Sequence, residues 1–482
     1  MINFSSLPTE LIYEILTQHC DIRSLNCISQ TCKPLHTLVT SKAVWVSVIK
    51  RLKSHGFIDE RFAREPSQLS TAELSKLVKR LVHGPDSWQS AQGQTTISPR
   101  ISSCITLHTP CDHPTGYSVV RFVPGGHLLR NNHGTTELWD VEHGQKVWFR
   151  APQIPNITLV QSGFERKSSG VVVVAMTYVD SDNFTFNLEM AELMVYREPQ
   201  TTETSHLHLE INLTNVTFGP VRASVPVMSL CEDLVLLNIG IPGYLLVNWR
   251  EKSAIALDPG GLEQLDWVLT PHGDIIAIMG SYEESRREDP VQLKIFDTNA
   301  FELVPIGNNR LIDHIPLSTV VPLLTHQFAR DLANRFEVPY ALYIFPDPLE
   351  EGSFRLWACV YQQPPDLNLG TAALLHQLSL TYTAHNGQRL LPTLTHSNSA
   401  EPHRISRPDF LYANSMGFSG HAQVQIRPRS LGRIRITDSY GGEGETTLSE
   451  VGCDGGGFNY MAPYCGSWAY VKDHQTTVID FE

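Results

Sequence analysis

Over the first fifty residues apolar side chains recur at intervals of three and four; beyond residue 95 they alternate in short runs. The first pattern buries one stripe of a helix, the second one face of a strand. Leu11, Ile12, Ile15 and Leu16 form a two-turn stripe behind Pro8, whose missing N–H is harmless in a first turn. Glu10 sits where the helix dipole favours negative charge. Asp21 stands as the N-cap of a second helix with Leu25, Ile28 and Cys32 on one face, and Pro34 either interrupts that helix or opens the next. Leu35, Leu38, Val39, Trp45, Val48, Ile49 and Leu52 continue the spacing. Three helices are therefore expected in residues 1–53. They carry more apolar surface than so small a unit can enclose, so part of it is expected to meet another protein or domain.

A fourth helical pattern follows. Ser70 and Glu73 have capping-box spacing, and Leu74, Leu77, Val78 and Leu81 share a face before Gly84-Pro85 stops the helix. Residues 54–94 then read as a helical spacer and a polar linker, "DSWQSAQGQTT". From residue 95 the apolar runs are of strand length and are broken by Gly, Pro, Asn and Asp, the grammar of an all-β body.

The opening residues resemble an F-box. In "LPTELIYEIL" and "DIRSLNCISQTCK", Leu7-Pro8, Glu10 and Ile15-Leu16 match the family's first helix, and Asp21, Leu25, Ile28, Cys32 and Lys33 follow its spacing, with Trp45 beyond. Two departures stand out: Thr31 occupies a position usually held by Val, and "TQHC" adds a residue at the end of the first helix. The resemblance implies that Leu7, Pro8, Leu11, Ile12, Ile15, Leu16, Leu25, Ile28, Cys32, Lys33 and Leu35 dock on a Skp-type adaptor, and through it on a cullin.

The body also carries a resemblance. "VVRFVPGGHLLRNNHGTTELWDVEHGQKVWFRA" is similar to a WD-repeat blade of four strands, with a turn at Pro124–Gly126, Trp139-Asp140 at the namesake dipeptide and a fourth strand at Lys146–Phe149. The usual Gly-His pair is missing. Trp139, Tyr196, Trp249 and Phe296 mark comparable third strands 57, 53 and 47 residues apart. Trp357, Val424 and Val478 supply three further rungs, and "SSCITLH" a strand that closes the ring against the last blade. The expected fold is multidomain, α plus all-β: a helical F-box at 1–53, a helical spacer at 54–94 and a β-propeller of about seven degenerate blades at 95–482. The anchor tryptophans are read as packing between blades.

Composition narrows the function. The 482 residues exceed one ordinary core, and 41% apolar with 18% charged residues describes a soluble globular chain. The net charge of −13 is uneven: residues 1–82 hold 11 Lys and Arg against 7 Asp and Glu, leaving 26 against 43 for the body. An acidic body repels phosphate backbones, which argues against nucleic acid as the main partner. No apolar run is long enough to span a membrane, and no basic leader or secretory stretch opens the chain. Nine scattered cysteines suit a reducing cytoplasm or nucleus, so the sequons at Asn156, Asn183, Asn212 and Asn215 read as ordinary strand and turn residues.

Candidate chemistry is sparse. Cys104, His108, Cys111 and His113 lie within ten residues, but their spacing is not that of a structural zinc site, and a strand splays alternate side chains apart. "GFSGH" lacks the Gly-x-Ser-x-Gly elbow, and "GGEGE" and "CDGGG" have neither the Lys nor the following helix of a phosphate loop. No cofactor, metal or catalytic residue is expected. The overall layout resembles fungal F-box proteins with divergent propeller-like bodies, and the resemblances imply a non-catalytic substrate receptor of a Skp–cullin–F-box ubiquitin ligase, its propeller holding an unknown protein target. Alternatives are a propeller enzyme or small-molecule binder with a structural helical head, and an F-box protein with a scaffolding role.

Overall fold

The computed structural model describes residues 7–55, 57–58, 65–88, 100–108, 119–123, 125–132, 135–151, 158–168, 170–180, 185–195, 201–212, 228–240, 243–258, 263–281, 291–307, 312, 314–328, 336–350, 352–363, 372–383, 391–396, 403–406, 416–418, 422–426, 433–438, 443–447, 458–461, 466–472 and 475–481. Five helices come first: α1 (Thr9–Gln18), α2 (Ile22–Ser29), α3 (Lys33–Val39), α4 (Lys42–Ser54) and α5 (Thr71–His83). Residues 1–53 thus hold four helices rather than three. The long third pattern breaks at Thr40 and Ser41, where the Thr40 hydroxyl turns back to the carbonyl of His36 at 2.8 Å and Ser41 starts α4 from an extended conformation. Pro34 opens α3 instead of interrupting α2.

The local signals formed as their chemistry requires. Asp21 Oδ1 accepts from the backbone N–H of Ser24 at 2.6 Å. Ser70 and Glu73 make the reciprocal capping box, and Gly84 ends α5 with a φ of 82°.

α5 is not a free-standing spacer. Leu74, Val78 and Leu81 lie in one core with Leu16, Leu25, Val44 and Ile49. That core also takes in Phe345 and Trp357 of the body, with Tyr343 and Leu349 packed at its edge. The surplus apolar surface of the helices is therefore met partly by the chain's own sheet. Polar contacts pin the junction: the Arg23 backbone N–H donates to the Leu349 carbonyl at 3.0 Å, and its guanidinium pairs with Glu350 at 2.6 Å. Arg80 donates to the Phe481 carbonyl. Pro85 lies so close to Gly466 that a Cβ there would sit 2.3 Å from the proline ring.

Among the described residues the body forms seven sheets, each built on a four-stranded antiparallel path. The first (Val119–Val123, His127–Asn132, Thr135–Asp140, Gln145–Arg150) reproduces the strands read from the sequence. In the second, Thr158–Ser168 leads to Val171–Asp180, Thr185–Met194 and Thr202–Asn212. The third runs from Ser229–Cys231 through Leu234–Gly240 and Gly243–Asn248 to Ser253–Asp258, with two short strands added on its outer edge. The fourth begins at Glu263–Leu269, the fifth at Phe336–Pro346, the sixth at Met416–Phe418 and the seventh at Phe458–Met461. Leading strands lie beside the neighbouring sheet, and separate apolar cores lie between the seventh and first sheets and between each successive pair from the first to the fifth, so the arrangement is propeller-like.

The strand Ile101–His108 completes the seventh sheet by pairing antiparallel with Gln475–Phe481, from Ile101 opposite Phe481 to His108 opposite Gln475. The buried Asp480 reinforces it, accepting from the Ser103 and Ser467 hydroxyls at 2.6 Å each. Trp139 and Trp249 are buried in the cores between sheets. Phe296 lies on a third strand, whereas Tyr196 falls outside the described residues.

Two of the later rungs need correction. Trp357 and Val424 belong to second strands, Ser353–Gln363 and Ala422–Ile426, whereas Val478 lies on a third strand. Second and third strands cannot be told apart by pattern: AQVQI and RIRITD in the sixth sheet both alternate, and SFRLWACVYQQ and AALLHQLSLTYT in the fifth are both long and apolar-rich. Trp357 differs from the other anchors because it packs into the helical core. Trp357→Ala is expected to cost about 3–5 kcal/mol, as large-to-small changes in cores do. Urea unfolding followed by circular dichroism measures it, and a loss under about 1 kcal/mol would show that helices and sheet do not share this core.

Candidate docking surface on the helical block

The residues assigned to adaptor docking separate into three sets. Ile12, Leu16, Leu25 and Leu35 are buried and hold the helices together. Pro8, Leu11, Cys32 and Lys33 are exposed, while Leu7, Ile15 and Ile28 are half-buried against the edge of the core. Pro8, Leu11 and Ile15 fall at helical spacing, so one side of α1 faces water while Ile12 and Leu16 face inward. Leu11 is 46% exposed, and of the large hydrophobic residues standing exposed among those described it is the one in the helical block. Cys27 and Cys32 are exposed on either side of Ile28.

The two departures from the family pattern have local explanations. The Thr31 hydroxyl donates to the carbonyl of Ile28 at 2.8 Å and stands at the surface, so it leaves no unpaired polar group in a core. At the end of α1 His19 is the C-cap, and Cys20 turns inward as an apolar anchor. Arg51 donates to the Cys20 carbonyl from α4, holding the extra residue in place.

The thiols follow burial. The Cys20 thiol is raised above the usual cysteine range by burial and then by Asp21, partly offset by Arg51. In the third sheet, burial first and Glu165 second push Cys231 up to about 12. The strand Ile101–His108 carries Cys104, which is exposed, while Cys111 and His113 lie outside the described residues. No group of three His, Cys, Asp or Glu is placed to hold a metal ion among the described residues. No described helix is long and apolar enough to cross a membrane. What the sequence did not reveal is which apolar side chains of the helices the body would take, because that depends on Phe345 and Trp357, some three hundred residues away.

No family model matches the chain, and no curated protein matches it. Among solved structures it is similar to the crystal structure of the WD40 domain of SCAP from fission yeast, with 8% identity over 75% of this chain and 84% of that one, at a TM-score of 0.38. So distant a likeness carries no argument of its own, and the propeller-like description rests on the pairing of the strands.

Alkylation at pH 8 is expected to mark Cys27, Cys32 and Cys104 in the folded protein and to spare Cys20 and Cys231, whose thiols stay protonated and enclosed. Site occupancy by peptide mass spectrometry measures this; fast labelling of Cys20 would show that the helical core is open.

Proposed function

We propose that this chain is a protein-interaction scaffold acting as the substrate receptor of a Skp–cullin–F-box type ubiquitin ligase. In this reading the outer side of α1, with Leu7, Pro8, Leu11 and Ile15, docks on a Skp-type adaptor together with Ile28, Cys32 and Lys33. The propeller-like body holds a protein target in the cytoplasm or nucleus. The observation that carries the reading is the division of labour within α1: one face closes the chain's own core, and the other leaves Pro8 and Leu11 exposed, with Leu7 and Ile15 half-covered beside them. The order of residues from Leu7-Pro8 to Cys32-Lys33 supplies the family pattern, and the short four-stranded sheets supply the rigid carrier.

The chain would contribute proximity rather than chemistry. A recruited conjugating enzyme would transfer ubiquitin, and the receptor would raise the effective concentration of target lysines. Docking of the helices on the body suits this role, because a block seated on Phe345 and Trp357 holds its orientation where a flexible tether would not.

Leu7→Ala/Pro8→Ala and Leu11→Asp are each expected to weaken co-purification with a Skp-type adaptor by about tenfold or more, the loss of one or two buried apolar anchors. The urea midpoint should fall little, since Pro8 and Leu11 are exposed and Leu7 packs only at the edge of the core. Unchanged adaptor binding would sink the docking assignment. Accumulation of a captured target on cullin inhibition would separate ubiquitination from assembly alone.

A further inference from the structure

Between the second and third sheets lies a cavity of about 360 Å³, in the size range of small-molecule sites. Its floor is apolar: Met190 and Trp249 are buried, and Leu207 packs beside them. Its rim is polar and carries Arg250, Lys252, Ser205 and Glu192, with His206 in the wall.

The charges on that rim are unequally engaged. The Arg250 guanidinium lies 4.4 Å from the Trp249 ring centre and is held by Asp233 at 2.6 Å and Glu192 at 3.3 Å. Ser205 donates to the other oxygen of Glu192 at 2.9 Å. His206 turns to Glu189 at 3.3 Å and to Arg150 at 2.9 Å. Lys252 is exposed, and its ammonium has no partner among the described residues. One unsatisfied positive charge therefore stands over an apolar floor, on a chain whose net charge is −13.

The turn that presents Lys252 is fixed in advance. Lys252 and Glu232 are the two non-glycine residues with positive φ among those described, at 53° and 51°. Trp249 ties their turns together, its indole N–H donating to the Glu232 carbonyl at 3.3 Å and its backbone N–H to that of Asp233 at 3.0 Å. The Lys252 carbonyl accepts from Ile306 at 2.7 Å. A left-handed backbone held from both sides at the mouth of a cavity is the kind of local strain that accompanies binding sites.

We propose that this cavity binds a singly charged carboxylate on an apolar body, the carboxylate meeting Lys252 and the body lying on Met190, Leu207 and Trp249. A single charge fits because, among the described residues of the lining, Lys252 is the one Lys or Arg without a partner, Arg250 being held by Asp233 and Glu192. The ligand is either a free organic acid or the C-terminal residue of a peptide, since both present this chemistry. The site also faces the end of the sheets where the helical block sits. The Trp249–Lys252 turn is bonded to Asp233, neighbouring Cys231 bonds to the Gly273 backbone, and a Cβ on Gly352 would lie 3.7 Å from His272, close to where Leu349 receives Arg23.

The test titrates the full-length protein with hexanoate, hexanamide, acetyl-Ala-Leu with a free C-terminus and its C-terminal amide, read by saturation-transfer NMR and calorimetry. Expected is binding of at least one acid about tenfold or more tighter than its amide, the loss of one charge-assisted contact. Binding of hexanoate assigns a small acid, and binding of the dipeptide alone assigns a peptide C-terminus. Lys252→Gly keeps the left-handed backbone, which glycine adopts freely, and should weaken the acids about fivefold or more while leaving the amides unchanged. Lys252→Asn, which also tolerates that conformation, serves if the glycine variant loses its fold by circular dichroism. No binding of either acid at millimolar concentration, equal binding of acid and amide, or acid binding untouched by both variants would overturn the proposal. None of these readouts involves the adaptor, so failure here leaves the docking of α1 standing, and failure of that docking leaves the cavity.

Discussion

The antiparallel pairing of Ile101–His108 with Gln475–Phe481 is the contact on which the remaining architecture depends. It joins the first strand of the body to the last across almost four hundred residues, leaving the seventh sheet complete and the N-terminal end of that strand opposite Phe481. There Arg80 reaches the Phe481 carbonyl and Pro85 seats against Gly466, so the helical block is delivered to the body rather than tethered from it. Closing so long a loop costs entropy that rises only slowly with length, and a full register of strand pairs with a buried Asp480 shared by two hydroxyls offsets it.

Once delivered, the helices resolve a problem that their own sequence sets. Four short helices and α5 have too little volume to enclose every apolar stripe, and Phe345 and Trp357 complete the core from the fifth sheet. That completion is selective. It takes the side on which Ile12, Leu16 and Leu25 point inward and leaves Pro8 and Leu11 to water. The adaptor-docking reading and the seating of the helices are therefore two consequences of one packing arrangement. The cavity between the second and third sheets arises differently, from turns whose left-handed residues Glu232 and Lys252 are held by Trp249 and Ile306 respectively.

Much of the framework could be read from residues in order along the chain. Asp21, the Ser70–Glu73 box and Gly84 act within one helical turn, and the four strands of the first sheet are separated by turns whose glycines take positive φ at Gly125, Gly126 and Gly144. The closing strand was legible as well, because an alternating run ahead of the first complete sheet has few other places to pair. Where the reading failed, the signal was degenerate. Trp357 and Val424 look like third-strand residues because neighbouring strands of one sheet carry similar apolar positions. The break at Thr40 and Ser41 was hidden because Leu38 and Trp45 lie seven residues apart, about two helical turns, so the apolar stripe stays in phase across it.

By itself the sequence determined most of the elements and those boundaries that carry a cap or a glycine turn: caps, turns, alternation and helical stripes depend on neighbours within a few positions, and those neighbours are written next to one another. Tertiary structure alone decided which apolar residues of the helices are core and which are surface, why α5 packs instead of spacing, and where Lys252 comes to face Met190 and Leu207. Each of these outcomes depends on side chains far apart in the chain, and burial is a property of what arrives on the other side.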